Sequence, residues 1–174
     1  FHSGDAAVVH PDGYVEIPTP PGYNSINGPF WGRRVGDDLV LGFRVEDRHA
    51  NVRGTCHGGM LMLFADLLLP LAARYQADLD DVFLSTVNLT GDFLASPQVG
   101  DWVHGRAEVV RVTRNLVFTH GVVAVDDAPM VRVNGIFKRM GAPKDPDEMV
   151  LDLRAMFGPL RGTAFNANGT PRPF

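Results

Sequence analysis

The feature that most constrains the fold is an apolar run at residues 60–73, in which Asp66 is the single charged residue. A membrane-spanning helix needs about 20 apolar residues, and this run is shorter. It therefore predicts a helix that is buried on nearly all sides rather than a membrane span. Such a helix is stable only if other parts of the chain wrap around it.

The segments on either side of this run supply the wrapping. Residues 30–47 alternate apolar and polar side chains around Asp37-Asp38, which predicts two strands joined by a tight turn. Four later segments are rich in Val, Phe and Thr, and short breaks that favour an antiparallel meander separate them: 82–94, 101–113, 116–127 and 129–140. The predicted class is α+β, with a curved antiparallel β-sheet wrapped around a long central helix.

The length of 174 residues suits one domain with appended segments. Five prolines in residues 1–29 predict an irregular N-terminal arm, and residues 30–140 form the predicted core domain. Residues 141–174 are predicted to be a C-terminal tail with one short amphipathic helix, whose start is acidic.

The overall composition narrows the choice of partners and compartment. The formal net charge of -4 lacks the basic excess that binding to a phosphate backbone requires, so nucleic acid is not an expected partner. Cys56 is the only cysteine, which excludes an intrachain disulfide and a four-cysteine zinc site. A reducing compartment, the cytoplasm, is the predicted location.

Asp66 marks a candidate site, because a buried ionised carboxylate needs a partner, access to water or a raised pKa. The alternative is a structural role, on an exposed sliver of the helix or against a neighbouring chain. Pro70 bears on this choice, since a proline inside a helix clashes with the carbonyl four residues earlier, which here belongs to Asp66. Either the helix is kinked at this point or it ends early.

His57, Gly58 and Gly59 stand where the chain enters the helix. The first N–H groups of a helix have no internal partner and can face a developing negative charge, although paired glycines also occur for structural reasons. From His57 to Asp66 a helix rises about 13 Å, too far for one site within one chain. A symmetric dimer with antiparallel helices would bring Asp66 of one chain near Gly58 of the other.

The segment NVRGTCHGGMLMLFAD, residues 51–66, resembles the signature of the hotdog-fold acyl-CoA thioesterases of the phenylacetic-acid-degradation type. The likeness extends to about residue 140. It implies a hotdog fold and a hydrolase that polarises the thioester carbonyl with the Gly58 N–H. It also implies that His57 and Asn51 shape and orient the loop, while Asp66 from the partner chain acts as general base or as nucleophile.

The same resemblance implies further contacts. Thr86 would help to hold the attacking water, and Gly59, Arg114 and Asn115 would bind the substrate, the last two through coenzyme A. The expected partner is an acyl-CoA, the expected assembly is a homodimer or a dimer of dimers, and neither a metal nor any cofactor beyond the coenzyme A of the substrate is expected.

Two other functions compete with thioester hydrolysis. Pro70 is not part of the family pattern, which leaves open a non-catalytic protein that holds an acyl or similar small ligand in the same pocket. A hotdog hydratase is disfavoured because its expected spacing from aspartate to histidine is missing. His49, His104 and His120 lie singly on strand-like segments, without metal-ligand spacing, and are predicted to be structural.

Overall fold

The computed structural model describes residues 10–79, 81–141 and 151–160. In chain order, the helices and strands are β1 (Val15–Glu16), α1 (Tyr23–Asn27), β2 (Trp31–Val35), β3 (Asp38–Arg44), α2 (Gly58–Gln76), β4 (Leu84–Phe93), β5 (Trp102–Val112), β6 (Leu116–Val125), β7 (Ala128–Arg139) and α3 (Leu153–Phe157). A 3-10 turn at Asp47–His49 precedes the loop that leads into α2.

The strands form one antiparallel sheet in the order β1-β2-β3-β5-β6-β7-β4, which curves around α2. This confirms the predicted α+β hotdog architecture. The predicted hairpin is present as β2 and β3, and its turn lies one residue earlier than expected. Asp38 already pairs with Val35, so Gly36 and Asp37 make the turn, and Gly36 has the positive φ of 63° that a tight turn favours.

The predicted four-strand meander is wrong for its first strand. Strands β5, β6 and β7 do form a meander, but β4 pairs with β7 and not with β5. The reason is that β5 has β3 on its other side, through pairs running from Leu41–Gly105 to Arg44–Trp102. Strand β4 therefore occupies the far edge of the sheet, beside the last strand of the meander.

Helix α2 packs directly onto the inner face of the sheet. Phe64 and Leu68 are fully buried, and both lie over Gly105 of β5. A Cβ atom at Gly105 would lie 2.4 Å from a methyl carbon of Leu68, so only the bare backbone lets the helix come this close. Burial of the apolar side chains of α2 is the main favourable term holding helix and sheet together.

The length of α2 changes one argument about membranes. The helix extends to Gln76 and has 19 residues, with a mean hydropathy of 1.3 over 18 of them, which is sufficient for a membrane span by length and composition. The fourteen-residue apolar run alone underestimates the length of this helix. Its packing against the sheet, with 61% of that window buried, is the feature typical of a core helix in a globular domain.

Parts of both terminal segments pack on this core. In the arm, Val15 of β1 pairs with Gly32, and Ile17 is buried. Of the predicted tail helix, the structure describes α3 at Leu153–Phe157, and the acidic start falls in residues 142–150, which lie outside the described part. The ring of Phe157 lies over Gly32, so the arm and the tail meet at the β2 edge of the sheet.

Candidate active site

The first turn of α2 leaves one backbone donor free. His57 is the N-cap residue, and its side-chain Nδ1 accepts the Gly59 N–H at 2.8 Å while its carbonyl accepts the Met60 N–H at 2.9 Å. The Gly58 N–H has no hydrogen-bond partner among the described residues. It is therefore the group at this helix end that can bind an oxyanion, whereas the Gly59 N–H is occupied by His57.

Asn51 builds the loop that delivers His57 to the helix. Its Oδ1 accepts backbone N–H groups from Arg53 at 2.8 Å and from Thr55 at 3.3 Å, and its Nδ2 donates to the Thr55 hydroxyl at 2.9 Å. Gly54 adopts φ of 76° within this turn. Because three hydrogen bonds of one side chain fix the turn, Asn51 acts on loop shape, in the manner the resemblance implies.

The lone carboxylate of the apolar helix has a partner on the sheet. The Thr86 hydroxyl donates a hydrogen bond to Oδ1 of Asp66 at 2.6 Å. Thr86 lies on β4 opposite Phe137, immediately before a bulge in the β4–β7 pairing. A bulge redirects the side chains beside it, and here it accompanies a hydroxyl aimed at α2.

Asp66 and Thr86 lie at the polar side of a pocket with a volume of about 440 Å³. The rest of the lining comes from one face of α2, from the start of β4 and from α1: Leu63, Leu67, Pro70, Leu71, Arg74, residues 83–85 and Asn24. Apart from the buried Arg74 and Leu84, the helix and strand residues of this lining are only half-buried or exposed, unlike the opposite face of α2. A carboxylate beside an apolar wall suits a ligand with a reactive polar head and an apolar chain.

Pro70 lies inside α2, and the helix continues through it to Gln76, so an early helix end is excluded. The residue is one turn beyond Asp66 on the same face and lines the same pocket. Proline has no N–H to give to the Asp66 carbonyl. Despite this lost hydrogen bond, the Asp66 side chain meets Thr86.

One chain does not bring all of the predicted residues together. Gly58 and Asp66 are separated by about 12 Å along one helix, more than two turns. Arg114 and Asn115 form the exposed turn between β5 and β6, outside the lining of the pocket, where the Asn115 carbonyl accepts the Arg139 N–H at 2.8 Å. Their substrate contacts, like that of Gly59, stay predictions.

The sequence reasoning missed the clamp that holds α1 at the pocket. The His49 Nε2 donates to the Asn27 carbonyl at 3.0 Å, and the Arg48 guanidinium donates to the carbonyls of Ile26 and Gly28. These three consecutive carbonyls end α1, which carries Asn24 into the pocket lining. Adjacent His and Arg carry no recognisable sequence signal for such a contact, which joins residues about 20 positions apart.

The stability of the protein is expected to fall as the pH drops below about 6.5, in part because of His49. Burial and the neighbouring Arg48 charge lower the pKa of His49 from its ordinary value of 6.5. The unfolded chain therefore takes up this proton at a higher pH than the folded protein does, so folding is penalised below pH 6.5 and unaffected by this group above it. Thermal unfolding midpoints measured from pH 7.5 to 5.0 test this.

The matched variants for this measurement are His49→Gln and His120→Gln. The first should have lower stability at every pH but a shallower decline on acidification. The second replaces a half-exposed histidine beside Glu108 and should change the stability at pH 7.5 only slightly. Equal slopes in the native protein and in His49→Gln would contradict the assignment.

Comparison with known proteins identifies the family. The family model described as "Thioesterase superfamily" matches residues 53–129, which include the His57 cap, Asp66 and Thr86. This central segment of the chain is similar to the thioesterase superfamily. This confirms the resemblance, and with it the chain is a thioester hydrolase.

Individual relatives agree with this match. The chain is 29% identical over 111 residues to "Putative esterase PA0474" of Pseudomonas aeruginosa, covering 63% of this chain and 82% of the relative. A structure of a phenylacetic acid degradation-related thioesterase from Ralstonia eutropha is 25% identical, with a TM-score of 0.56 and coverage of 62% of this chain and 82% of that one. A hypothetical thioesterase from Streptococcus pneumoniae, solved with coenzyme A, has 15% identity, a TM-score of 0.57 and coverage of 66% and 88%.

Proposed function

We propose that this thioesterase hydrolyses the thioester bond of an acyl- or aryl-CoA in a site shared by two copies of the chain. In each site, the Gly58 N–H of one protomer polarises the thioester carbonyl. Asp66 of the other protomer activates water, or attacks the carbonyl as nucleophile. The thiolate of coenzyme A is a good leaving group, so the reaction needs no metal and no further cofactor.

The proposal rests on the hydrogen bonding of the two reacting groups, Asp66 and the Gly58 N–H. Thr86 occupies Oδ1 of Asp66, and Oδ2 has no partner in the described part of the chain, so it can accept a proton from water. At the helix start, every first-turn N–H from residue 59 to residue 61 is bonded within the cap, and the one at residue 58 is not. Thioester hydrolysis requires a base that can take a proton from water and an N–H donor that can bind the oxyanion. Asp66 Oδ2 and the Gly58 N–H are available for these two tasks.

Coenzyme A fits this site as the carrier of the acyl group. A protein of the same fold was solved with coenzyme A, and the leucine-rich wall beside Asp66 suits the acyl or aryl part of the substrate. Gly59, Arg114 and Asn115 are proposed to contact the carrier. The cationic Arg114 is suited to its phosphates. A cytoplasmic location, where acyl-CoA is formed and used, completes the proposal.

The second copy is proposed to dock on the free edge of β4. Within the described part of the chain this strand pairs only with β7, and its Val87 and Phe93 are more than half exposed next to the half-buried face of α2. An unpaired edge with apolar neighbours is a ready pairing surface. Antiparallel pairing of β4 with its copy would extend the sheet and lay the two α2 helices side by side, giving a homodimer that could associate further into a dimer of dimers.

The contacts of β4 also support one register for this pairing. A Cβ atom at Gly58 would touch Phe93 at 3.3 Å, and Asp66 bonds Thr86, so the two reacting groups lie near opposite ends of β4. With the bulge residue Val87 left unpaired, as it is opposite β7, a two-fold axis at Thr90 places Thr86 opposite Phe93 of the second copy. Asp66 of one protomer then faces Gly58 of the other, and the inward-facing residues of both strands stay on the inner face of the joined sheet.

Oxidation of a Thr90→Cys variant is therefore expected to give a covalent dimer. Residues facing each other across an antiparallel pair have Cα atoms about 5 Å apart, within the range that a disulfide spans. Thr90 is exposed and pairs with Asn134 on its other side, so its side chain can be replaced without opening the core. Non-reducing gel electrophoresis after mild oxidation measures the product.

The native Cys56 gives little background in this experiment. It is buried, and burial raises the pKa of its thiol to about 12, so its reactive thiolate is scarce near neutral pH. Val122→Cys, exposed on β6, is the matched control and should stay monomeric on the gel. A Thr90→Cys protein that cross-links no better than Val122→Cys would exclude this register.

The alternative of a non-catalytic ligand-binding protein drew its support from Pro70 and the additional terminal segments. That support weakens, because α2 continues through Pro70 and Asp66 still meets Thr86. A panel of short-chain, long-chain and aryl-CoA thioesters decides between the two functions: turnover of at least one ester that falls in Asp66 variants supports hydrolysis. Retention of ligands without turnover across the panel would support binding alone.

A further inference from the structure

A second cleft lies on the outer face of the sheet, away from α2. It has a volume of about 160 Å³, and its lining includes Arg33, Val40, Trp102, His104 and Arg106. Val40 pairs with Arg33 across β2 and β3, while its neighbours in sequence, Leu39 and Leu41, belong to the core beneath the sheet. The cleft and the Asp66 pocket therefore open on opposite faces, and we call it the outer cleft.

The two arginines of the outer cleft lack anionic partners within the described ranges. Arg33 has its Nε buried without a hydrogen-bond partner, and its guanidinium carbon lies 4.9 Å from the ring centre of Tyr14. Arg106 makes no ion pair or hydrogen bond through its side chain there. Asp38, whose field reaches Arg106, is not ion-paired to it and instead accepts a hydrogen bond from Gln76 at 3.3 Å.

A further unsatisfied donor lies at the same place. The indole Nε1 of Trp102 is buried without a partner, and His104 faces the cleft from the next outward position of β5. Buried donors without acceptors are rare in folded proteins, because each has lost the hydrogen bond that it made with water. Two arginines at one cleft, neither of them ion-paired within the described residues, are suited to an anionic ligand, whereas His104 already bonds the Asp126 carbonyl at 2.8 Å.

The size and walls of the cleft select among anions. Paired guanidinium groups bind the oxygens of phosphate or carboxylate with bidentate geometry. The faces of the aromatic rings are already used, since Arg33 lies over Tyr14 and Arg44 lies 5.3 Å from the ring centre of Trp102. Because each ring already carries an arginine and the cleft holds only about 160 Å³, a compact, doubly charged group is the best match.

We propose that the outer cleft binds a phosphate group, free or as the phosphate of a larger ester, between Arg33 and Arg106. This site is separate from the thioesterase site, and the proposal does not depend on the reaction catalysed there. Binding would neutralise two like charges on one face of the sheet. A bound phosphate is thereby expected to raise the thermal stability of the protein.

The protein carries a built-in probe for this site. Trp31 and Trp102 are the only two tryptophans of the chain; Trp102 lines the cleft and Trp31 lies on β2, two residues before Arg33. Titration with inorganic phosphate at constant ionic strength, against sodium chloride, is expected to give a saturable change in tryptophan fluorescence. Isothermal calorimetry on the same samples measures binding even if the fluorescence stays constant.

Arg106→Gln is the decisive variant, because the side chain is exposed and its loss leaves the core intact. We expect at least a tenfold loss of phosphate affinity and unchanged thioester turnover. Lys138→Gln removes the same charge from an exposed position on β7 and should keep the affinity within twofold. A saturable response abolished by Arg106→Gln and retained in Lys138→Gln supports the site.

The source of the phosphate group is decided by a parallel titration with adenosine monophosphate. Similar affinities for the two ligands indicate recognition of the phosphate alone, and tighter binding of the nucleotide indicates an esterified ligand with further contacts. The proposal is overturned if calorimetry detects no binding of either ligand to the native protein. Equal affinities in the native protein and in Arg106→Gln would overturn it as well.

Discussion

Asp66→Asn is expected to lower kcat for acyl-CoA hydrolysis by about 10³-fold, the contribution typical of a positioned general base, with a much smaller change in KM. The amide keeps the shape of the carboxylate and can still accept the Thr86 hydrogen bond through its oxygen, so the fold should survive. What it loses is the ability to take a proton from water or to attack the carbonyl. Steady-state release of free thiol from the best substrate of the panel measures the effect.

Thr86→Val tests the same carboxylate with a smaller expected effect. It removes the hydroxyl that holds Oδ1 of Asp66 at 2.6 Å while nearly keeping the volume of the side chain. A hydrogen bond to a charged group contributes about 1.5–3 kcal/mol, so we expect a loss of about tenfold or more in kcat, well below that of Asp66→Asn. Turnover by Asp66→Asn at more than a tenth of the native rate would exclude the proposed mechanism.

Gly58→Pro is expected to lower kcat by about 10²-fold or more, because it deletes the single free N–H at the start of α2. Proline suits this position in other respects. It is favoured as the first residue of a helix, and the preceding His57 has φ of −65° and ψ of 136°, which a following proline allows. The substitution therefore removes the oxyanion donor while the helix is retained.

Gly58→Ala is the matched control, because it adds a side chain and keeps the N–H. Its Cβ would lie 3.3 Å from the Phe93 ring, so a small shift of that exposed ring and a loss of less than tenfold are expected. Circular dichroism should show that both variants keep their helix. Equal losses in Gly58→Ala and Gly58→Pro would mean that space at this position, and not the N–H, limits the reaction.

The two inactive variants also test the shared site directly. If Asp66 and Gly58 of different protomers meet, a heterodimer of Asp66→Asn with Gly58→Pro contains one intact site and one doubly defective site. Co-expression with two affinity tags isolates this species, which should recover about half of the native turnover per dimer. No recovery in a verified heterodimer would place both groups in the same protomer and contradict the two-chain site.

Sequence patterns predicted most of the fold because they reflect local physics. The apolar run at residues 60–73 required a wrapped helix, and the alternating segments predicted the strands of the sheet to within a few residues. The pairing of β4 escaped prediction, because strand neighbours depend on which edges are already occupied. The docking of β1 and α3 escaped prediction as well. Elements of two and five residues have too short a pattern to indicate which surface they pack against.

The candidate site was likewise predictable from the sequence only in part. By itself the sequence determined which groups are chemically available: a carboxylate in an apolar helix, glycines at its start and a threonine on the following strand. Only the tertiary structure decided their state, with Gly59 occupied by the His57 ring, Gly58 left unbonded and Thr86 turned onto Asp66 by a bulge. Hydrogen-bond occupancy depends on distances of a few tenths of an ångström between residues far apart in the chain, and only the folded arrangement of strands and helix sets those distances.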